Sequence, residues 1–170
     1  ALNNLGNILR RQGKIEEAEP FVRKALEGNR NIFGNGHPRV MIAEINYCGL
    51  LVALQKPEPA VEILAAGVKD AERVWQKTQG RYLATYLQRL GEALTGTGEY
   101  SRAEATLLKS IGLLREQLGD QNEQTRNCVE HLIELYDRWH TAEPDAGHDA
   151  KAELWRSKLA VPQGRASNKD

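Results

Sequence analysis

A long internal repeat constrains this chain more tightly than any other feature. Residues 1 to 38 laid over 86 to 123, an offset of 85, match at ten positions, including Leu2/Leu87, Leu5/Leu90, Gly6/Gly91, Leu9/Leu94, Gly13/Gly98 and Ala18/Ala103. That offset is two units of 42 and 43 residues, and a copy lies between: Leu51 and Ala60 stand 42 after Leu9 and Ala18. A fourth, degraded copy starts near Gln121, with Leu132 and Tyr136 at the places of Leu5 and Leu9. A unit of this length cannot bury its apolar face alone, so the copies must stack.

Within each unit the period is helical. Leu2, Leu5 and Leu9 are spaced i, i+3, i+7, an apolar stripe predicted to face a partner helix. Gly13 and Gly98 are expected to end that first helix, since glycine adopts the left-handed conformation of a C-terminal cap. In the second copy Gln55 stands at that place, and "KPEP" at 56 to 59 is expected to supply stiffness instead. A second helix carries Ala18, Val22, Ala25 and Leu26, with Pro20 in its early part, where few N–H groups have partners. Gly34, Asn35, Gly36 and Pro38 break the chain before the next unit. The fourth copy has about seven extra residues, Thr141 to Gly147, between its helices.

Composition narrows the function. The 23 basic and 23 acidic side chains cancel, which argues against a nucleic-acid partner. No apolar run approaches the roughly 18 residues of a membrane helix. Cys48 and Cys128 are 80 positions apart and make no disulfide framework. Cys48 takes the place of Gly6 and Gly91, where helices cross closely, and is expected to be a buried, inert thiol. The chain opens on Ala1 inside an amphipathic pattern, as a piece of a longer chain would.

The pattern Leu5-Gly6-x2-Leu9 followed by Ala18-x3-Val22, repeated by Leu90-Gly91-x2-Leu94 and Ala103-x3-Leu107, resembles the tetratricopeptide signature. The longer unit and the Asn-rich "ALNNLGNILRRQGKIEEAE" are similar to the kinesin-light-chain variety. The stretch "HLIELYDRWH…KAELWRSKL" resembles the closing repeat of arrays appended to bacterial serine/threonine kinases. This resemblance implies an all-α fold, an α-solenoid in which about four helix pairs wind a right-handed superhelix. The array is expected over 1–160, in units of about 1–38, 39–80, 81–120 and 121–160. Lys151, Glu153, Arg156 and Lys158 give the last helix the polar outer face of a terminal unit, and 161–170 reads as a disordered tail.

Catalytic chemistry is hard to find. His131 follows Cys128 by three residues, and His140 and His148 flank an acidic loop, but no second pair completes a zinc set. These histidines read as solvated loop and helix-surface residues, and His37 as a turn residue. No Ser-His-Asp order, P-loop or Rossmann fingerprint occurs. Trp75, Trp139 and Trp155 read as packing. No catalytic residue, metal or cofactor is expected.

What remains is surface. The resemblance puts the first helices on the concave wall, where Asn3, Asn7 and Arg10 form a stripe flanked by Asn4 and Arg11. Homologous places are Ile45 and Asn46 in the second unit, Gln88, Arg89 and Glu92 in the third, and Glu130, His131 and Glu134 in the fourth. Such a groove runs from amide and basic to acidic. Amides both donate to and accept from a peptide backbone, whereas a merely solvated helix face more often carries Glu and Lys. The sequence therefore predicts a non-catalytic, cytoplasmic protein–protein interaction module that binds a protein or peptide segment, with neither nucleic acid nor membrane as partner. The alternative is a structural spacer or self-association element, such as the regulatory tail of a bacterial serine/threonine kinase.

Overall fold

The computed structural model describes residues 2–75 and 80–160, with the side chains of Asn3 and Asn7 outside the description. Eight α-helices follow one another: α1 (Leu2–Arg11), α2 (Ile15–Phe33), α3 (Pro38–Ala53), α4 (Pro57–Trp75), α5 (Gly80–Gly96), α6 (Tyr100–Leu118), α7 (Glu123–Ala142) and α8 (His148–Ala160). A 3-10 turn at Pro144–Ala146 precedes α8, and no strand occurs among the described residues. The second helices begin at Ile15, Pro57 and Tyr100, spacings of 42 and 43 residues. Each helix packs on the next, and the first helices also touch across units, α3 with α5 and α5 with α7. The chain is an all-α solenoid. The predicted tail, 161–170, lies outside the described residues.

The same turn closes the first helix of three units. Lys14 N–H donates to Leu9 O at 2.9 Å, Lys56 N–H to Leu51 O at 2.8 Å and Glu99 N–H to Leu94 O at 2.9 Å. This bond needs a left-handed residue just before the donor. Gly13 and Gly98 supply it at φ +76° and +80°, and Gln55 supplies it at φ +57°. The prolines of "KPEP" do not replace the glycine; a side-chain-bearing residue takes its conformation. A left-handed non-glycine residue costs about 1–2 kcal/mol, and glycine returns part of that through its looser unfolded chain. Gln55→Gly is therefore expected to stabilise the protein by about 0.5–1 kcal/mol, read as a rise of about 2 °C in Tm. A fall would show that the Gln55 side chain makes a compensating contact.

Small residues set how closely the paired helices approach. Ala18, Ala60 and Ala103 are each fully buried, and Cys48 is buried at the place of Gly6 and Gly91. A Cβ on Gly91 would meet Leu107 Cγ at 2.5 Å, so the helices of that unit touch through a missing side chain. Leu2 and Leu5 correct the predicted stripe. Each is 41% exposed, and Gly6 and Leu9 turn toward α2 instead. Pro20 is also deeper than expected, six residues into α2, past the turn whose N–H groups lack partners.

Every junction between units carries one phenol–carboxylate bond. Tyr47 donates to Glu19 at 3.1 Å, Tyr86 to Glu44 at 2.9 Å and Tyr136 to Glu104 at 2.7 Å. Burial first, and the facing carboxylate second, push Tyr47 up to about 12. Tyr86 and Tyr136 also lie well above the usual tyrosine range, from burial and from Glu44 and Glu104 respectively.

Burial alone would raise Glu104, but hydrogen bonds from Lys151 and Tyr136 outweigh it and hold the carboxyl below its ordinary value. A carboxyl lowered on folding adds stability above its unfolded pKa, about 4.3, and loses it as pH falls through the folded value. Glu104→Gln is expected to flatten the acid limb of a Tm-against-pH curve below about pH 4.3. Parallel limbs would show that the carboxylate contributes nothing there.

The last unit is sealed by aromatic rings. Trp139 stacks on His148 at 3.9 Å and on Tyr100 at 5.8 Å, while Lys158 and Arg115 lie over Trp155 at 4.2 and 5.2 Å. His148 is only 6% exposed. It is not the solvated residue its place beside an acidic loop suggests, because the insertion folds back and lays its ring on Trp139. On α8 Lys151, Glu153, Arg156 and Lys158 are exposed, and so is Leu154, at 54%.

Candidate functional site

The polar side chains on the first helices gather most densely on α5 and α7. Glu92, only 9% exposed, is the hub. Its Oε2 accepts from Arg89 Nη1 at 2.5 Å, and its Oε1 accepts from Gln88 Nε2 at 3.0 Å. His131 Nε2 lies 3.0 Å from the same Oε1. Gln88 also donates to Asn127 Oδ1 at 2.9 Å, which ties α5 to α7. Arg138 then pairs with Glu134 at 2.8 Å one turn further along α7. Buried carboxylates persist when donors satisfy their oxygens, and Glu92 has two, Arg89 and Gln88.

The network fixes Arg89 without consuming it. Its side chain, 31% exposed, lies across α3, where a Cβ on Gly49 would stand 3.1 Å from Nε. Arg89 lines a cavity of about 360 Å³ with Gln88 and Asn127, while Val52, Gln55, Glu58, Thr95, His131 and Arg138 line part of another, of about 250 Å³, that also touches Glu92 and Glu134. This surface joins α3, α5 and α7.

The predicted groove residues divide into three groups. Gln88, Arg89, Glu92 and His131 are brought into direct contact, and Glu134 reaches His131 Nδ1 at 3.9 Å. Ile45 is buried at 8% exposure, Asn46 is half-buried and Glu130 is exposed. On α1, Asn4, Arg10 and Arg11 are exposed, while the side chains of Asn3 and Asn7 lie outside the described residues. Asn127 was not predicted. The groove places were transferred from α1, which has 10 residues against 17 in α5 and 20 in α7, so the earlier turns of the longer helices had no template. An amide at i−4 from His131 was the available signal.

Elsewhere, polar groups serve the fold. His37 Nδ1 accepts from Arg39 N–H at 3.2 Å and caps α3, as Asn122 caps α7 through Gln124 N–H at 2.9 Å. Both cysteines are buried free thiols. Burial pushes Cys48 far above the thiol range and Cys128 up to about 11, so neither is a thiolate at neutral pH. Among the described residues no three His, Cys, Asp or Glu side chains gather as a metal site, and no helix is long and apolar enough to cross a membrane.

The tetratricopeptide repeat family profile matches residues 1–39, the unit whose turn and small-residue places recur through the chain. The chain's first unit is a tetratricopeptide repeat. The array is similar in fold to the crystal structure of BtubC (BKLC) from P. vanneervenii, with a TM-score of 0.65 at 16% identity. That match covers 98% of this chain and 66% of the other, so this chain spans about two thirds of that protein's length. A Podosopora anserina putative kinesin light chain with nearly identical TPR-like repeats aligns at a TM-score of 0.36 and 11% identity, covering 92% of this chain and 93% of its own. No curated protein matches the chain. Tetratricopeptide repeats in general mediate protein–protein interaction, and their fold is typically non-catalytic.

Proposed function

We propose that the first-helix face, from Asn46 across Arg89 to His131, binds an extended peptide or protein segment in a non-catalytic, cytoplasmic interaction module. The observation that carries this reading is the Glu92-centred network, which holds His131 at 28% side-chain exposure on one cavity and Arg89 at 31% on another. Side chains fixed before binding lose less entropy on binding. Arg89 suits a carboxylate of the bound segment, because a guanidinium offers paired donors to paired oxygens. The Asn46 amide suits its backbone, and the exposed Arg10 and Arg11 favour acidic groups toward the α1 end. Each contact is partly exposed and worth about 1 kcal/mol, so affinity is modest and falls as salt rises.

The test uses an extended peptide selected against the protein from a random library. Asn46→Ala with Arg89→Ala is expected to weaken binding about tenfold, which is about 1.4 kcal/mol. Lys69→Ala, on the exposed side of α4, is expected to leave it unchanged. The reverse pattern would place the ligand on the outer helices.

A further inference from the structure

The crevice between a second helix and the unit after it carries a different charge at each level of the stack. In the first, Arg30 of α2 donates to the buried Glu44 of α3 at 2.9 Å, and Met41 and Ala66 bring no charge. Arg30, Met41, Glu44 and Ala66 correspond in the repeat register to Glu72, Ala84, Leu87 and Lys109 one level on. There Glu72 and Lys109 pair with each other. Each of these crevices pairs its own charges.

The third crevice, between α6, α7 and α8, does not. Its places hold Arg115, Arg126, Val129 and Lys158, since Lys158 follows buried Ala152 by the six residues that separate Lys109 from Ala103. Val129 stands where the first crevice has its buried acid, and two cations, Arg126 and Lys158, stand where it has Met41 and Ala66. The lining has one carboxylate, Asp120, on the exposed turn before α7, 2.5 Å from Arg115 Nε. Arg126 and Lys158 pair with no carboxylate among the described residues. Both are nonetheless held: Arg126 Nη1 donates to Leu159 O at 3.0 Å, and Lys158 Nζ lies 4.2 Å from the centre of the Trp155 ring. They border a cavity of about 210 Å³ walled on its apolar side by Val129 and Leu159.

We propose that this crevice is a binding site for a phosphate dianion, free or as the monoester of a small molecule. Three cations and one carboxylate leave two formal positive charges, which match the dianion and exceed what a monocarboxylate can meet. The two guanidinium groups offer paired donors to phosphate oxygens, and the ammonium adds a point charge. Asn46, Arg89 and His131 take no part in the lining, so the site is separate from the first-helix groove.

The repeat supplies the variants for a test. Arg126→Met and Lys158→Ala install the residues that the first crevice carries at these places. The 170-residue chain is titrated calorimetrically with inorganic phosphate, O-phosphoserine and acetate, at one ionic strength held with sodium chloride. Phosphate and phosphoserine are each expected to bind one per chain with Kd of about 1 mM or below, and acetate about tenfold more weakly. Tighter phosphoserine assigns the site to esters; tighter phosphate assigns it to the free ion. Arg126→Met with Lys158→Ala should weaken phosphate binding about tenfold while the circular dichroism stays helical. Lys158→Ala alone, an exposed change, should weaken it about threefold. Asn46→Ala with Arg89→Ala should leave it unchanged, and a loss there would move the anion to the groove and overturn the proposal. So would the absence of saturation by about 10 mM phosphate, or acetate binding as tightly as phosphate. Unaltered affinity in Lys158→Ala would overturn it as well.

Discussion

Replacing Glu44 by Ala should lower stability by about 3 kcal/mol, a fall of roughly 6–12 °C in Tm. Glu44 is 6% exposed and joins three units. Arg30, from the first, bonds its Oε1 at 2.9 Å; Tyr86, from the third, donates to its Oε2 at 2.9 Å. Removing the carboxylate leaves the fully buried Tyr86 hydroxyl without its acceptor and takes the counter-charge from Arg30. An unmade buried hydrogen bond costs more than a made one contributes, so the single deletion is the severe case. The homologous places hold Leu2, Leu87 and Val129, so the site can accept an aliphatic side chain. Glu44→Leu combined with Tyr86→Phe removes both buried partners, leaves Arg30 its 36% access to water, and should recover all but about 1 kcal/mol. A single variant as stable as the parent would mean that these bonds do not hold the junction.

Ala103→Leu should cost about 2–3 kcal/mol by overpacking. Ala103 is fully buried where α6 crosses α5, and Gly91 already presses its backbone against Leu107. Three further heavy atoms have no void to enter, so either helix must move, and both also hold neighbouring units. The loss should appear as a lower Tm with far-UV circular dichroism still helical. An unchanged Tm would displace the register in which Ala18, Ala60 and Ala103 are equivalent.

That register was legible in the sequence because it rests on residues chosen for lack of size. The Gly6, Cys48 and Gly91 place, the three alanines and the turn glycines Gly13 and Gly98 answer steric demands that only a few residue types meet. Polar interactions were less legible. Glu44 looks like a defect in an apolar stripe until Arg30 and Tyr86 are seen around it, since those partners lie 14 and 42 residues away. His148 looked solvated because periodicity says nothing of how an insertion folds back. Leu2 and Leu5 looked buried because a helical stripe marks what could be covered, not whether a neighbour covers it. On the first-helix face Gln88, Arg89, Glu92 and His131 meet, whereas Ile45 is buried, and the longer α7 adds Asn127, for which the short α1 has no equivalent.

Binding along the first helices is tested most directly by observing side-chain N–H resonances while the library-selected peptide is titrated into the protein. Asn46, Gln88 and Arg89 should shift together in proportion to occupancy, while Asn29 and Gln117 on the second helices stay fixed. Shifts confined to Asn29, Gln117 and their neighbours, with Asn46 and Arg89 unmoved, would contradict the account.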